Sequence, residues 1–114
     1  MLQTAIPILA SLNEAESITF YTEKLKFTLQ ANWTGYLILS RDDIYLHLWP
    51  CNDVYIAQST GCYINVNDIE NLYAEYEPLG IVHPNAKLED KPWGRRQFSV
   101  LDNNGNIIHF GQAL

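Results

Sequence analysis

Basic residues are scarce in this chain: seven Lys and Arg stand against thirteen Asp and Glu, for a formal charge of -6 and a pI near 4.8. A phosphate backbone needs a basic footprint that so few cations do not provide, so nucleic acid is excluded as a partner. The acidic balance favours neutral or cationic partners, and it also serves plain solubility. No apolar run approaches the roughly 18 residues of a membrane helix, and no basic, apolar leader follows Met1. No membrane partner is expected, and the chain is placed in the cytoplasm. Cysteine is limited to Cys51 and Cys62, which without a secretory context do not imply a disulfide. Also missing are a Gly-x-Ser-x-Gly elbow, a glycine-rich phosphate loop and a histidine directly beside either cysteine. Their absence removes the usual signatures of nucleophilic hydrolysis and nucleotide binding.

What is present is enough for one folded domain spanning residues 1–114, with 47% hydrophobic and 18% charged residues. A chain of this size supports one hydrophobic core, and a deep cleft calls for a second copy. The order of elements is written twice. Ile6 to Leu9 forms a short apolar segment, and Asn13 with Glu16 opens a helix. Along that helix Ile18, Tyr21, Thr22 and Leu25 fall at i, i+3, i+4 and i+7, one buried face. Strands are predicted over Phe27 to Asn32, Gly35 to Ser40 and Ile44 to Trp49, the last two joined at Arg41-Asp42-Asp43.

The second half starts with a strand over Cys62 to Val66 and a helix capped by Asp68, in which Ile69, Leu72, Tyr73 and Tyr76 repeat the same spacing. Pro78 and Gly80 end that helix. Ile81 to Pro84, Arg95 to Leu101 and Asn106 to Gly111 complete the set, with a turn over Asp102 to Gly105. The predicted class is α+β: two βαβββ modules, about 4–49 and 61–112, forming a curved mixed sheet around a groove with helices on the other side. In Ile44 to Trp49, alternation sends Ile44, Leu46 and Leu48 toward the helices and Tyr45, His47 and Trp49 to the opposite face.

The doubled pattern, with Ser17-Ile18-Thr19-Phe20-Tyr21 on the first helix, Pro92-Trp93-Gly94-Arg95 before a strand and Asp102-Asn103-Asn104-Gly105-Asn106 before the last strand, resembles the glyoxalase, bleomycin resistance and extradiol dioxygenase superfamily. Pro-Trp-Gly-Arg followed by a final strand carrying histidine is most similar to the bleomycin resistance branch. The resemblance implies that enzymes of the superfamily bind a divalent metal from the first and last strands of each half. Counted along the chain, those positions fall on Ile6 and Gly61, which have no donor, and on His47 and His109. Two imidazoles without a carboxylate do not make a catalytic metal site, so no cofactor is expected. If a metal were held, His47 and His109 would hold it.

The same resemblance implies a protein that sequesters bleomycin, a ligand with a planar aromatic part and a cationic tail, in grooves shared by a homodimer that exchanges an N-terminal strand, here Leu2 to Ala10. Covering sheet edges by two-fold pairing is physically coherent. Tyr36 and Trp93 take the positions of groove-wall aromatics, and Asp42, Asp43 or Asp90 would attract the cation at longer range. Trp93, between Pro92 and Gly94 on a connection, is placed to project into a cleft. The candidate ligand-binding set is Trp33, Tyr36, Tyr45, His47, Trp49, Trp93, Arg95 and His109. Arg95 and Arg96 alternate across the sheet, so one of them at most faces the ligand. Three readings stand: a metal-free antibiotic-binding protein with no enzymatic activity, a metal-dependent lyase or dioxygenase using His47 and His109, and an accessory domain that binds a small metabolite or a peptide.

Overall fold

Asn13 starts the first helix in the way its side chain suggests. Its backbone is extended and its Oδ1 accepts the Glu16 N–H at 2.9 Å, satisfying one of the free amides of a helix start. In the computed structural model, which describes residues 1–114, strand β1 (Ile8–Ser11) leads into helix α1 (Glu14–Thr19). The helix continues as a π turn over Phe20–Lys24, where the Leu25 N–H reaches the Phe20 carbonyl at 3.1 Å. That wider turn rotates the buried stripe: Ser17, Tyr21 and Leu25 are fully buried, while Ile18 and Thr22 are only half-buried. Thr22 bonds back to the Ile18 carbonyl at 2.6 Å, a local tie that competes with regular helix.

The first half continues with β2 (Thr28–Trp33), β3 (Tyr36–Arg41) and β4 (Ile44–Pro50), giving a mixed sheet of order β1-β4-β3-β2. The hairpin between β2 and β3 is two residues long, and Thr34 and Gly35 both adopt positive φ as such tight turns require. A short helix α2 (Val54–Gln58) follows, unanticipated by the sequence reading although Asp53 caps it by accepting the Tyr55 N–H at 3.0 Å. The second half contains β5 (Gly61–Asn65), α3 (Ile69–Tyr76) with a 3-10 turn over Glu77–Leu79, β6 (Glu89–Lys91), β7 (Arg95–Leu101) and β8 (Ile107–Ala113). Its sheet order, β5-β8-β7-β6, repeats the first. The doubled βαβββ order is therefore present, as two four-stranded mixed sheets.

Several expected boundaries shift. The first strand begins at Ile8, two residues later than expected, and Ile8 to Ala10 pair in parallel with His47 to Trp49 of the same chain. The pairing with β4 reaches back to Pro7, whose carbonyl accepts the His47 N–H at 3.0 Å. Asp68 stands at the start of α3, but its carboxylate bonds Asn71, and the Ile69 N–H is satisfied by Gln112 of β8 at 2.9 Å. Ile81 to Pro84 contributes only a single bridge, Val82 to Val100, and the strand beside β7 is Glu89–Lys91 instead. Proline has no N–H for a ladder, which stops the earlier segment at Pro84.

The two halves share one core. Leu9, Tyr21, Leu25, Phe27, Leu37, Leu39, Leu46 and Leu48 of the first join Ile64, Ile69, Tyr76, Phe98, Val100, Ile108 and Phe110 of the second in a single cluster. Phe98 and Phe110 stack at 5.1 Å between centroids, with Tyr73 edge-on to Phe98 at the same distance.

Two polar seams join the halves. In the first, the buried Asp102 carboxylate accepts the Tyr21 hydroxyl at 2.6 Å, the Asn106 side-chain amide at 2.8 Å and the backbone amides of Asn104 and Asn106 at 2.8 and 2.9 Å. Asn106 in turn donates to the Ala10 carbonyl at 2.8 Å. Burial, then the neighbouring Asp102 charge, pushes the Tyr21 phenol well above its ordinary value. In the second, Arg41 and the Tyr76 hydroxyl both donate to the Leu25 carbonyl at 2.8 Å, and Arg41 also holds Glu75 at 2.7 Å. Burial raises the Tyr76 phenol to about 12.

Candidate functional site

Because the core takes one face of each sheet, the other face of each is left open. Strand alternation and the pairing register assign these faces. On the first sheet, Leu37, Leu39, Leu46 and Leu48 turn to the core, so Tyr36, Tyr45, His47 and Trp49 share the open face with Ile8, which lies opposite His47. Trp33 pairs with Tyr36 at the hairpin and is 71% exposed. The Tyr36 hydroxyl lies 2.9 Å from His47 Nδ1, with the two rings edge to face. Trp49 differs from the others, packing against a small cluster of Ala10, Cys51 and Ala57 that α2 completes.

On the second sheet Phe98, Val100, Ile108 and Phe110 turn inward, leaving Tyr63, Arg95, Gln97, Ser99 and His109 on the open face. Ser99 Oγ lies 2.6 Å from His109 Nδ1. Burial, then the Lys91 charge, holds the His109 imidazole below its ordinary value, so the ring is neutral near pH 7. Trp93 occupies the β6–β7 turn, 64% exposed, with its indole N–H on Gln97 Oε1 at 3.3 Å and Lys91 over its ring at 5.9 Å. Gly94 after it has a φ of 80°, the left-handed conformation that the turn needs.

Arg95 lies on the open face, bonding the Tyr63 hydroxyl at 3.1 Å and Asn65 at 2.6 Å while covering the Tyr63 ring. Arg96 faces the α3 side, where it holds Asp90 at 2.7 Å and contacts Glu70. The alternation thus puts Arg95, and not Arg96, beside Trp93. Tyr63 lies directly on Gly111: a Cβ at that glycine would meet the Tyr63 hydroxyl at 1.8 Å.

The expected electrostatics need correction. Asp90 is engaged by Arg96, whose hydrogen bond holds its carboxyl below the ordinary range. Asp42 and Asp43 lie on the helix side, at the rim of a cavity of about 530 Å³ floored by Phe27, Ile64, Leu72 and Phe110. That cavity contains none of the candidate ligand-binding residues. Lys91, paired with Glu89, lies over the Trp93 ring, and Arg95 bonds Tyr63 on the same sheet face.

The structure brings Trp33, Tyr36, Tyr45 and His47 together on one face and Trp93, Arg95 and His109 on the other. No hydrogen bond or ring contact joins the two groups within the chain. Sequence reasoning missed Tyr63, Gln97 and Ser99. Arg95-x-Gln97-x-Ser99 could have been found by extending the alternation from Arg95, whereas Tyr63 needed the register of a parallel pair.

The sequence of residues 13–110 matches the family profile described as Glyoxalase/Bleomycin resistance protein/Dioxygenase superfamily. The chain belongs to this superfamily. Bleomycin resistance proteins of Geobacillus stearothermophilus and Staphylococcus aureus are each 36% identical to it, over all of this chain and 98% of their own. Among solved structures, the bleomycin resistance determinant encoded on the transposon Tn5 superposes with a TM-score of 0.85 at 24% identity, covering 98% of both chains. The bleomycin-binding protein from Streptomyces verticillus, solved with copper(II)-bleomycin, gives 0.82 at 25% identity, covering 96% of this chain and 97% of its own.

Strand register shows which residues stand opposite the two histidines. Ile8, not Ile6, lies opposite His47, and Tyr63, not Gly61, lies opposite His109, because β1 starts late and Gly61 pairs with Ile107. Ile8 offers no donor, and the Tyr63 hydroxyl is taken by Gln97 and Arg95. Nor do three His, Cys, Asp or Glu side chains gather anywhere in the chain. This donor set does not fit a dication.

Proposed function

We propose that the protein binds and sequesters an aromatic ligand of the bleomycin type between the open face of one copy and the opposite open face of a second. The carrying observation is the pair of open sheet faces, each with exposed rings and a half-buried imidazole, in a chain alike over its full length to bleomycin resistance proteins. Ile8, Trp33, Tyr45, Tyr63, Trp93 and Leu101 are all exposed large side chains on or beside these faces. Apolar surface of that kind marks an interaction site, and flat rings supply stacking for a planar ligand. Two-fold pairing would set the Tyr36–His47 wall against the Ser99–His109 wall, with residues 1–6 extending from β1 toward the partner.

Binding without chemistry fits the arrangement of the side chains. Ser99 and His109 stand at a nucleophile-to-base distance, yet Ser99 is only 3% exposed and no third side chain orients the imidazole through Nε2. Its hydroxyl therefore cannot reach a substrate carbonyl. No helix is long and apolar enough to cross a membrane. Titration with metal-free bleomycin, followed by tryptophan fluorescence, tests this reading. Saturable quenching with one ligand per chain is expected, together with a dimer in sedimentation. Unchanged fluorescence across the micromolar range removes the ligand, and a monomer that still binds tightly removes the shared groove.

A further inference from the structure

The two imidazoles are held by the same device in both halves. His47 and His109 lie on β4 and β8, each flanked on the adjacent antiparallel strand by a hydroxyl directed at Nδ1: Tyr36 at 2.9 Å and Ser99 at 2.6 Å. Each hydroxyl has one proton to donate, and Nδ1 is its only acceptor within the chain. Ser99 is too deeply buried to send that proton to water. If Nδ1 instead carried hydrogen, the Ser99 proton would be left buried without a partner, an outcome that costs more than the bond contributes. At His109 Nδ1 is therefore the acceptor, and in a neutral ring the hydrogen sits on Nε2; the matching placement of the Tyr36 hydroxyl points to the same tautomer at His47. Neither Nε2 has a partner in the chain, and no unpaired side-chain nitrogen is buried, so both N–H groups open onto the sheet faces.

We propose that these faces recognise carbonyl-type hydrogen-bond acceptors of the ligand, with His47 and His109 each presenting an Nε2–H donor whose ring is held in place by the hydroxyl on Nδ1. This rests on the faces being ligand walls. Arg95, held by Tyr63 and Asn65, adds further N–H donors on the His109 face. A ligand with both amide carbonyls and a cationic end is thereby oriented, its carbonyls toward the imidazoles and its cation away from Lys91 and Arg95. A neutral His109 also avoids adding further positive charge to a wall that already carries those two.

The donor assignment is tested on the free, full-length protein by long-range proton–nitrogen correlation at pH 7.5. Both histidines should give the pattern of a protonated Nε2 and a bare Nδ1, and an Nδ1–H pattern at either one overturns the assignment. The acceptor class is tested with metal-free bleomycin. His109→Phe keeps a ring but removes the donor, and should weaken binding about tenfold, one hydrogen bond's worth. His109→Gln places an amide N–H near the position of Nε2 and should stay within about threefold of wild type on the same scale. Equal losses in the two variants, or none in either, overturn the proposal. Should wild-type protein fail to bind bleomycin, the ligand reading falls, while the nitrogen spectrum, which needs no ligand, still decides the donors.

Discussion

Replacing Asp102 by Asn should be among the most destabilising near-isosteric changes available to this protein. One carboxylate oxygen takes the backbone N–H groups of Asn104 and Asn106, and the other takes the Tyr21 hydroxyl and the Asn106 side-chain amide. An asparagine has one acceptor oxygen, so either rotamer turns its NH2 group against two donors. A buried donor deprived of its partner costs about 1–3 kcal/mol, which makes the loss about 4 kcal/mol for the pair. Against a total stability of about 5–15 kcal/mol this is a large fraction, and the melting temperature should fall by about 15 °C. Tyr21→Phe removes one donor and leaves the carboxylate its others, so a loss of about 1–1.5 kcal/mol is expected. The two changes share a bond, and Tyr21→Phe should therefore cost less in the Asp102→Asn background by about 0.5 kcal/mol or more. Urea unfolding of the four proteins measures all three quantities. Asp102→Asn within about 1 kcal/mol of wild type, or strict additivity, refutes the view that this carboxylate fastens the two halves together.

Trp93→Ala should weaken bleomycin binding by about 2 kcal/mol with little change in melting temperature, since the ring is exposed; a fall of more than a few degrees means the ring is structural. Gly111→Ala drives a methyl into the Tyr63 hydroxyl, and overpacking of about 1–3 kcal/mol together with weakened ligand binding is expected by calorimetry. A stable variant with normal binding contradicts the close approach. The pH prediction concerns His109, whose imidazole burial and Lys91 hold below the ordinary value. The unfolded chain takes that proton at higher pH than the folded one, so stability is full above about 6.5 and declines as pH falls from there through the folded value. Urea midpoints between pH 7.5 and 5 should drop more steeply for wild type than for His109→Gln; parallel curves remove the effect.

The fold was legible wherever a pattern is local. Doubled helix spacing, strand alternation and the Asp102–Gly105 turn carry the architecture, and Ile44 to Trp49 has the facing that alternation requires. What depended on distant partners was not legible. The Ile69 N–H is met by Gln112 from the far end of the chain, and the expected role of Asp68 is lost to it. The π turn after Thr19 rotates the buried stripe by inserting a residue that no periodicity announces. In the candidate site, aromatic and histidine residues could be named from strand alternation, but the hydroxyl beside each imidazole comes from strand pairing. The acidic balance of the whole chain gave no local guide, because Asp42 and Asp43 line the cavity on the helix side and Asp90 is held by Arg96.

The separation of core face from open face has an evolutionary consequence. Side chains that hold the molecule together and side chains on the proposed ligand walls alternate along the same strands, so neighbouring positions of one strand would answer to two independent demands. On the proposed reading, substitutions at exposed positions such as Trp33, Tyr45 or Trp93 would alter what is captured while leaving Leu46, Phe98 and Ile108 untouched. Such a scaffold can diversify its ligands at little risk to folding, except where Tyr63 rests on Gly111 and the two positions must change in order, the ring shrinking before the glycine can grow.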